Sequence, residues 1–560
     1  MVFLLENDAL AKVKKKSADK MRTGAQALVE SLECAGAEIV FGYPGGNVVD
    51  IFGSLRSSSL QFVLGRHEQG SVHMADGYAR SSGKVGVVLV TSGPGLTNAI
   101  TGLGTANIDG IPLVLVCGQV PLDQIGTDAF QESDTTGLTR AVTKHNFLVK
   151  NADEIPQTVA EAFHIATHGK CGAVVIDIPK DVQEELTSAR YPEKVLLRAY
   201  HPEREVLSSD VERVARLLNS AERPLIYAGG GVISSEASQF VVSIARKGGI
   251  PIATTMMGIG VAGGAEDLSL GMSGVHGTKA ANEAMASADL VLALGVRFND
   301  RATGGGGFFP SPEGRRIVHI DCDASSIAKN VPVYMGVVCD IKDFASALSP
   351  LVKSSERKKW LKKLRSLKEK EKLVKSSFSD GKISPLTVVE HIRRHMEKEC
   401  VVVTDVGQHQ LWAVRGLGDI RARSFIAPGG MGTMGFAIPA AIGSSLARPE
   451  SRVVALVGDG GAQMTFEELI VAAELGLKIL FVVFENRTLG LVRQMQLSKR
   501  RGEAFATEMR CPDFVKIAKA CGIEGEKVSC AAELEKAFSR AFKSQKSVLI
   551  EVHVDPEADV

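Results

Sequence analysis

Along the chain, short runs that are apolar at nearly every position alternate with longer stretches in which apolar residues recur at helical spacing. The runs include VGVVLVT, IPLVLVCG, GAVVIDIP, PLIYAGG, DLVLALG, IVHIDCD, CVVVTDVG, RVVALVGDG and ILFVVFEN. A strand wetted on one face alternates apolar with polar residues, whereas one buried on both faces does not, so these runs predict parallel strands covered by helices. The expected fold class is α/β, with mainly parallel sheets flanked by helices. The longest runs have strand length and fall short of the roughly 20 apolar residues of a membrane helix, so no membrane partner is expected.

Two composition breaks, YPEKVLLRAYHPEREV near 191–206 and SERKKWLKKLRSLKEKEKLVKSS near 355–377, divide this pattern into three. Domains are expected at 20–190, 205–350 and 380–560, since 560 residues are too many for one core. The second break has the composition of a basic nucleic-acid arm, but its glutamates and its Trp360, Leu361, Leu364 stripe are explained more simply by a solvated linker helix. With 65 Lys and Arg against 64 Asp and Glu, the net charge of +1 argues against nucleic-acid binding by bulk charge. Nine scattered cysteines without a C-x-x-C pair, and an N-terminal segment without a long apolar run, point to reduced thiols in a cytoplasmic protein.

Candidate chemistry is concentrated in V-G-D-G at 457–460, followed by a helical pattern, a second apolar run and E-N-R-T at 485–488. Asp459 and Asn486 fall at the ends of successive predicted strands, so their oxygens can converge at the carboxyl edge of a parallel sheet. Hard oxygen donors at such an edge suit Mg²⁺ shared with phosphate groups. Taken alone, the motif is equally well two turns that contain Asp and Asn.

Gly-Asp-Gly followed by Asn486 beyond a second strand resembles the diphosphate-binding motif of thiamine-diphosphate enzymes. Within that superfamily the chain resembles the catalytic subunit of acetohydroxyacid synthase, or acetolactate synthase, from about residue 22 to beyond 550. The likeness is carried by FGYPGGNVVDIF, RHEQGSVHMADGYAR, TSGPGLTN, GQVP, IGTDAFQE, TKHNFLV, GVRFNDRATG, VGQHQLWA, GGMGTMGFAIPAAIG and GDGGAQMTFEEL. It implies a pyrimidine-binding domain, a central FAD-type domain and a diphosphate-binding domain. The implied cofactors are thiamine diphosphate, Mg²⁺ and a structural FAD.

The same resemblance assigns site residues. Glu68 is expected to face N1′ of the cofactor's aminopyrimidine and exchange a proton with it, with Gly46 and Gln131 near the reacting carbons. Gln408 and His409 match diphosphate contacts, Gly458, Gly460 and Gly461 the turn around them, and Met434 the residue beneath the bent cofactor. Asp459, Asn486 and Thr488 are the expected metal ligands. Gly230, Thr255, Met256, His276, Gly295, Arg297 and Asp321 match FAD-binding segments. Phe130, Arg301, Met495 and Asn47 are expected near substrate, Arg301 because its planar fork suits a carboxylate. The literal G-x-G-x-x-G at 258–263, which would favour a dehydrogenase, runs into more glycine and no helical pattern.

The implied reaction decarboxylates pyruvate and transfers the two-carbon unit to a second 2-keto acid, giving 2-acetolactate for branched-chain amino acid synthesis. The implied assembly is a homodimer or dimer of dimers in which Glu68 of one subunit meets Asp459 of another, with a small regulatory subunit as a further partner. The chain departs from the family in places. Met495 stands where V-x-Q-W carries tryptophan, Asn47 replaces alanine, 303–309 and LSKRRGEAFATEMRC are unusual, and the chain ends at PEADV. These departures keep open a thiamine-dependent lyase or acyltransferase with an aldehyde or sulfoacetaldehyde acceptor. A non-catalytic scaffold is opposed by the intact Glu68, Asp459 and Asn486.

Overall fold

The computed structural model describes residues 21–304, 315–373, 382–418, 420–499 and 502–560. Most of the unusual 303–309 loop therefore lies outside the described residues. The apolar runs form three six-stranded sheets in which every strand pair is parallel. In the first, β1 (Ile39–Gly42), β2 (Gln61–Leu64), β3 (Gly86–Val90), β4 (Leu113–Gln119), β5 (His145–Leu148) and β6 (Ala173–Pro179) lie in the order β2-β1-β3-β4-β6-β5.

The second sheet contains β7 (Pro224–Ala228), β8 (Ile252–Thr254), β9 (Ser269–Met272), β10 (Leu290–Leu294), β11 (Arg316–Asp321) and β12 (Met335–Val338), ordered β9-β8-β7-β10-β11-β12. The third contains β13 (Val401–Thr404), β14 (Phe425–Ile426), β15 (Val453–Gly458), β16 (Ile479–Glu485), β17 (Glu524–Val528) and β18 (Val548–His553), ordered β14-β13-β15-β16-β18-β17. Helices cover both faces, and β4, β6, β10 and β16 are buried along their whole length. Burial on both faces is why these strands do not alternate.

Each sheet reverses its strand order once. In the first and third sheets the second strand lies on one side of the first and the third strand on the other, whereas in the second sheet the first three strands run outward one way and the fourth starts the other way, so the order reverses between β1 and β3, between β7 and β10, and between β13 and β15. Such a reversal opens a crevice at the carboxyl edge, where the loops on its two sides diverge.

The basic segment does form a helix, Lys358–Leu373, with Trp360, Leu361 and Leu364 buried. Trp360 Nε1 donates to the Pro224 carbonyl at 3.0 Å, which fixes the helix to the second sheet. Among the described residues, no helix is long and apolar enough to cross a membrane.

Two compact units emerge: residues up to His201 together with Ile442–Ala447, and the rest from Pro202 onward. In the first unit, a side chain at Gly443 would collide with the Met74 carbonyl, and Ser444 Oγ donates to the Gly77 carbonyl at 3.3 Å.

Candidate active site

In the first unit, the expected residues gather at the β1/β3 reversal. Glu68 opens the helix Glu68–Ser82 just past β2, where His67 Nδ1 accepts from Gln69 N at 3.1 Å and caps the helix. Asn98 Nδ2 donates to Glu68 Oε2 at 2.9 Å, and Oε1 lies 3.6 Å from where a Cβ on Gly95 would be. After β1, the Asn47 amide N donates to Thr91 Oγ1 at 3.3 Å and its Nδ2 to Ser92 Oγ at 2.6 Å.

Gln131 reaches the same place on a strained backbone, with φ at +63°. Its Oε1 lies 4.0 Å from a Cβ position on Gly46, which keeps that approach open. Phe130, one residue earlier, is 87% exposed. Glu132 anchors this loop by accepting from Ala129 N at 3.1 Å and from Gly126 N.

The second unit places another group at the β13/β15 reversal. Val406, Gln408, His409, Trp412, Met434, Gly458, Asp459, Gly460, Gly461, Asn486 and Thr488 line one cavity of about 110 Å³. Asp459 follows β15 and Asn486 follows β16, the strand-end positions that the sequence pattern predicts. Asp459 is buried, and its carboxylate is oriented by backbone donors: Gly460 N on Oδ1 at 2.8 Å, Asn486 N and Arg487 N on Oδ2 at 3.0 and 2.6 Å. Burial pushes its pKa up, against the pull of those three N–H groups.

Asn486 Oδ1 accepts from Thr488 N at 3.1 Å, and the Thr488 hydroxyl donates to the Thr507 carbonyl at 3.0 Å. The Thr488 carbonyl accepts from Gly490 N at 2.8 Å, and a carbonyl oxygen has a second lone pair. His409 is buried, its Nε2 has no partner among the described residues, and burial pushes its pKa down to about 4, so the ring is neutral at neutral pH. Gln408 lines the cavity, but its Nε2 hydrogens go to Gln494 Oε1 at 3.1 Å and the Ala558 carbonyl at 3.0 Å.

The residues expected at FAD surround the β7/β10 reversal. Gly230 follows β7, Thr255 and Met256 follow β8, Gly295 and Arg297 follow β10, and Asp321 ends β11. The neighbouring Gly231 is glycine because its Cβ would lie 2.7 Å from Gly295 Cα, so close backbone packing accounts for it. Val275 N donates to the Arg301 carbonyl at 3.0 Å, which brings His276 beside Arg301. Burial lowers the His276 pKa, and the Arg415 and Arg301 charges add to the effect. Arg301 is exposed, with Asp300 3.7 Å away, and Met495 is 40% exposed on the helix Gly490–Lys499 outside the cavity lining.

Residues beyond those expected also enter the site. Asn98 fixes the Glu68 carboxylate. Asp405 and Thr465 hold the turn that carries Met434. Asp405 ends the apolar run CVVVTDVG, the same strand-end signal that singles out Asp459. Cys511 also approaches, its Sγ donating to Asp459 Oδ2 at 3.5 Å, and burial lifts the thiol to about 12. Behind Asn486, Glu485, Glu551 and His553 form a further cluster, whose charge Arg487 and Lys527 balance at 2.9 and 2.7 Å.

Three strand-order reversals on parallel sheets, one holding an oriented carboxylate beside an amide oxygen and a buried imidazole with an open Nε2, define a thiamine pyrophosphate enzyme. Residues 22–138, 211–348 and 405–552 match that family's N-terminal TPP binding, central and C-terminal TPP binding domains. The acetolactate synthase large subunit of Haemophilus influenzae is 40% identical, over 97% of this chain and 96% of that protein. Acetolactate synthase of Mycobacterium leprae is 40% identical over 99% and 90%, and the large subunit of Corynebacterium glutamicum 38% over 98% and 89%. The chain belongs to the acetolactate synthase large-subunit family.

Proposed function

We propose that the protein is an acetolactate synthase that releases CO₂ from pyruvate and joins the remaining two carbons to the keto carbon of a second 2-keto acid. The observation that carries the reading is the cavity in which Asp459, Asn486 and the unpartnered His409 Nε2 converge. Oxygens of Asp459, Asn486 and the Thr488 carbonyl would hold Mg²⁺. His409 and the turn Gly458–Gly461 would receive the diphosphate, and Met434 would lie under the ring portion. Thiamine diphosphate, when bound, supplies the carbon nucleophile and electron sink that a 2-keto acid needs to lose CO₂.

The chain's own groups do the rest. Asn98 uses one oxygen of Glu68, so Oε1 is the atom left to hold and release a proton at N1′ of the cofactor. Gln131, Gly46 and Asn47 border the space beside it. Arg301 would hold an acceptor carboxylate, and Gly230, Thr255, Met256, His276, Gly295, Arg297 and Asp321 would surround a structural FAD. The active assembly is at least a homodimer, Glu68 of one subunit serving the cavity of the other. Exposed apolar side chains support this: Tyr43, Val49 and Phe130 in the first unit, and Met431, Met464 and Val492 in the second.

The test offers pyruvate together with 2-ketobutyrate and an aldehyde and identifies products by mass spectrometry. Wild type should form 2-acetolactate and 2-aceto-2-hydroxybutyrate, and Met495→Trp should shift the ratio toward the latter. Glu68→Gln should form neither. Full activity in Glu68→Gln, or pyruvate consumption with aldehyde adducts alone, would sink the proposal.

A further inference from the structure

We infer that Asp405 is a positioning residue whose carboxylate holds the Met434–Gly435 turn against the helix Asp459–Thr465, and so sets where the ring portion of the cofactor rests. This rests on reading the neighbouring cavity as the thiamine diphosphate site.

Asp405 follows β13 and has no exposed surface. Its Oδ1 accepts from Val406 N at 2.9 Å and Gly435 N at 3.1 Å, and its Oδ2 from Ala437 N at 3.0 Å. From the other side, Thr465 Oγ1 donates to the Gly435 carbonyl at 3.0 Å. Gly435 is thus gripped at both its N–H and its C=O. Its φ of +82° requires glycine, and a Cβ there would press on Met464 Cβ at 3.1 Å.

Gly461 belongs to the same clamp. A Cβ at Gly461 would come within 2.7 Å of Asp405 Oδ1, so this glycine makes room for the carboxylate. The Met434 side chain ends 3.2 Å from where a Gly460 Cβ would stand, over the loop that carries Asp459. A buried carboxylate is tolerated when its lone pairs are met by donors, as here. An asparagine of the same shape would turn its NH₂ toward one of those N–H donors and lose that bond.

The experiment separates ring placement from diphosphate binding. Trp412 lines the cavity, whereas the other tryptophan, Trp360, lies on the linker helix. Quenching of Trp412 fluorescence therefore reports occupancy, with Mg²⁺ and either thiamine diphosphate or inorganic diphosphate as titrant. Asp405→Asn should weaken thiamine diphosphate by about tenfold or more and change inorganic diphosphate by less than about twofold. Thr465→Val should repeat this pattern and Thr465→Ser should restore wild-type binding, a comparison that decides the matter should Asp405→Asn fail to fold. Equal weakening of both titrants, or no change in either, would overturn the inference. Wild-type protein that bound neither titrant would overturn the cofactor reading itself and the inference with it.

Discussion

Asp177, at 2% exposure in β6, receives a bond from Gln119 Nε2 at 3.1 Å, and burial pushes its pKa up to about 7. The folded chain binds this proton more tightly than the unfolded chain, whose Asp titrates near about 4. Stability therefore falls as pH rises from about 4 to about 7 and levels off above, by at most about 1.4 kcal/mol per pH unit for this group. Asp177→Asn lacks that penalty, so its melting temperature relative to wild type should climb through the same window. Melts at about pH 5 and about pH 8 that gave the same difference would contradict this. His409 has the opposite sign: its pKa of about 4 makes the folded state lose stability as pH falls below the ordinary histidine value. Gly461→Ala should cost about 1–3 kcal/mol of stability, read by chemical denaturation, because its Cβ meets the Asp405 carboxylate. Asp459 and Asn486 are legible in sequence because each stands directly after an apolar run. Asp405 stands in the same kind of place, but the atoms that give it a purpose, on Gly435, Ala437 and Thr465, are distant in sequence.

Elements are legible to the degree that they are buried. Runs such as RVVALVGDG and ILFVVFEN correspond to interior strands β15 and β16, covered on both faces. Edge strands escape the same reading: β2 reads QFVL and β17 reads EGEKV, each with exposed positions, because an edge is wetted and need not be uniformly apolar. Turn geometry is also hidden. Gly93 adopts φ +59° and ψ −118° before the helix Pro94–Asp109, and a Cβ there would sit 2.9 Å from the Gln131 carbonyl. Gly93→Ala should therefore displace the Gln131 loop. The expected result is loss of most pyruvate turnover with a stability cost of about 1–3 kcal/mol, measured by steady-state assay and thermal melting on the same preparation. Removal of metal with a chelator should abolish turnover, and Mg²⁺ should restore it in wild type but not in Asp459→Ala.

For the whole molecule, the proposed pairing of Glu68 with the Asp459 cavity of a second subunit makes a prediction that neither half makes alone. Glu68→Gln and Asp459→Ala should each be inactive as homodimers. In a heterodimer one of the two sites combines an intact Glu68 with an intact Asp459, so subunit exchange between the variants should recover about a quarter of wild-type activity. No recovery after verified exchange would place both residues in the same subunit's site. The first compact unit has a different consequence, in the time it takes to make the protein. Its short segment Ile442–Ala447, with Gly443 against Met74 and Ser444 on Gly77, is encoded far downstream of the rest. On a ribosome, the first parallel sheet can assemble early, but its last packing partner arrives only when most of the chain has been made. Nascent chains arrested before that segment should be digested by protease within Glu68–Ser82 faster than chains arrested after it.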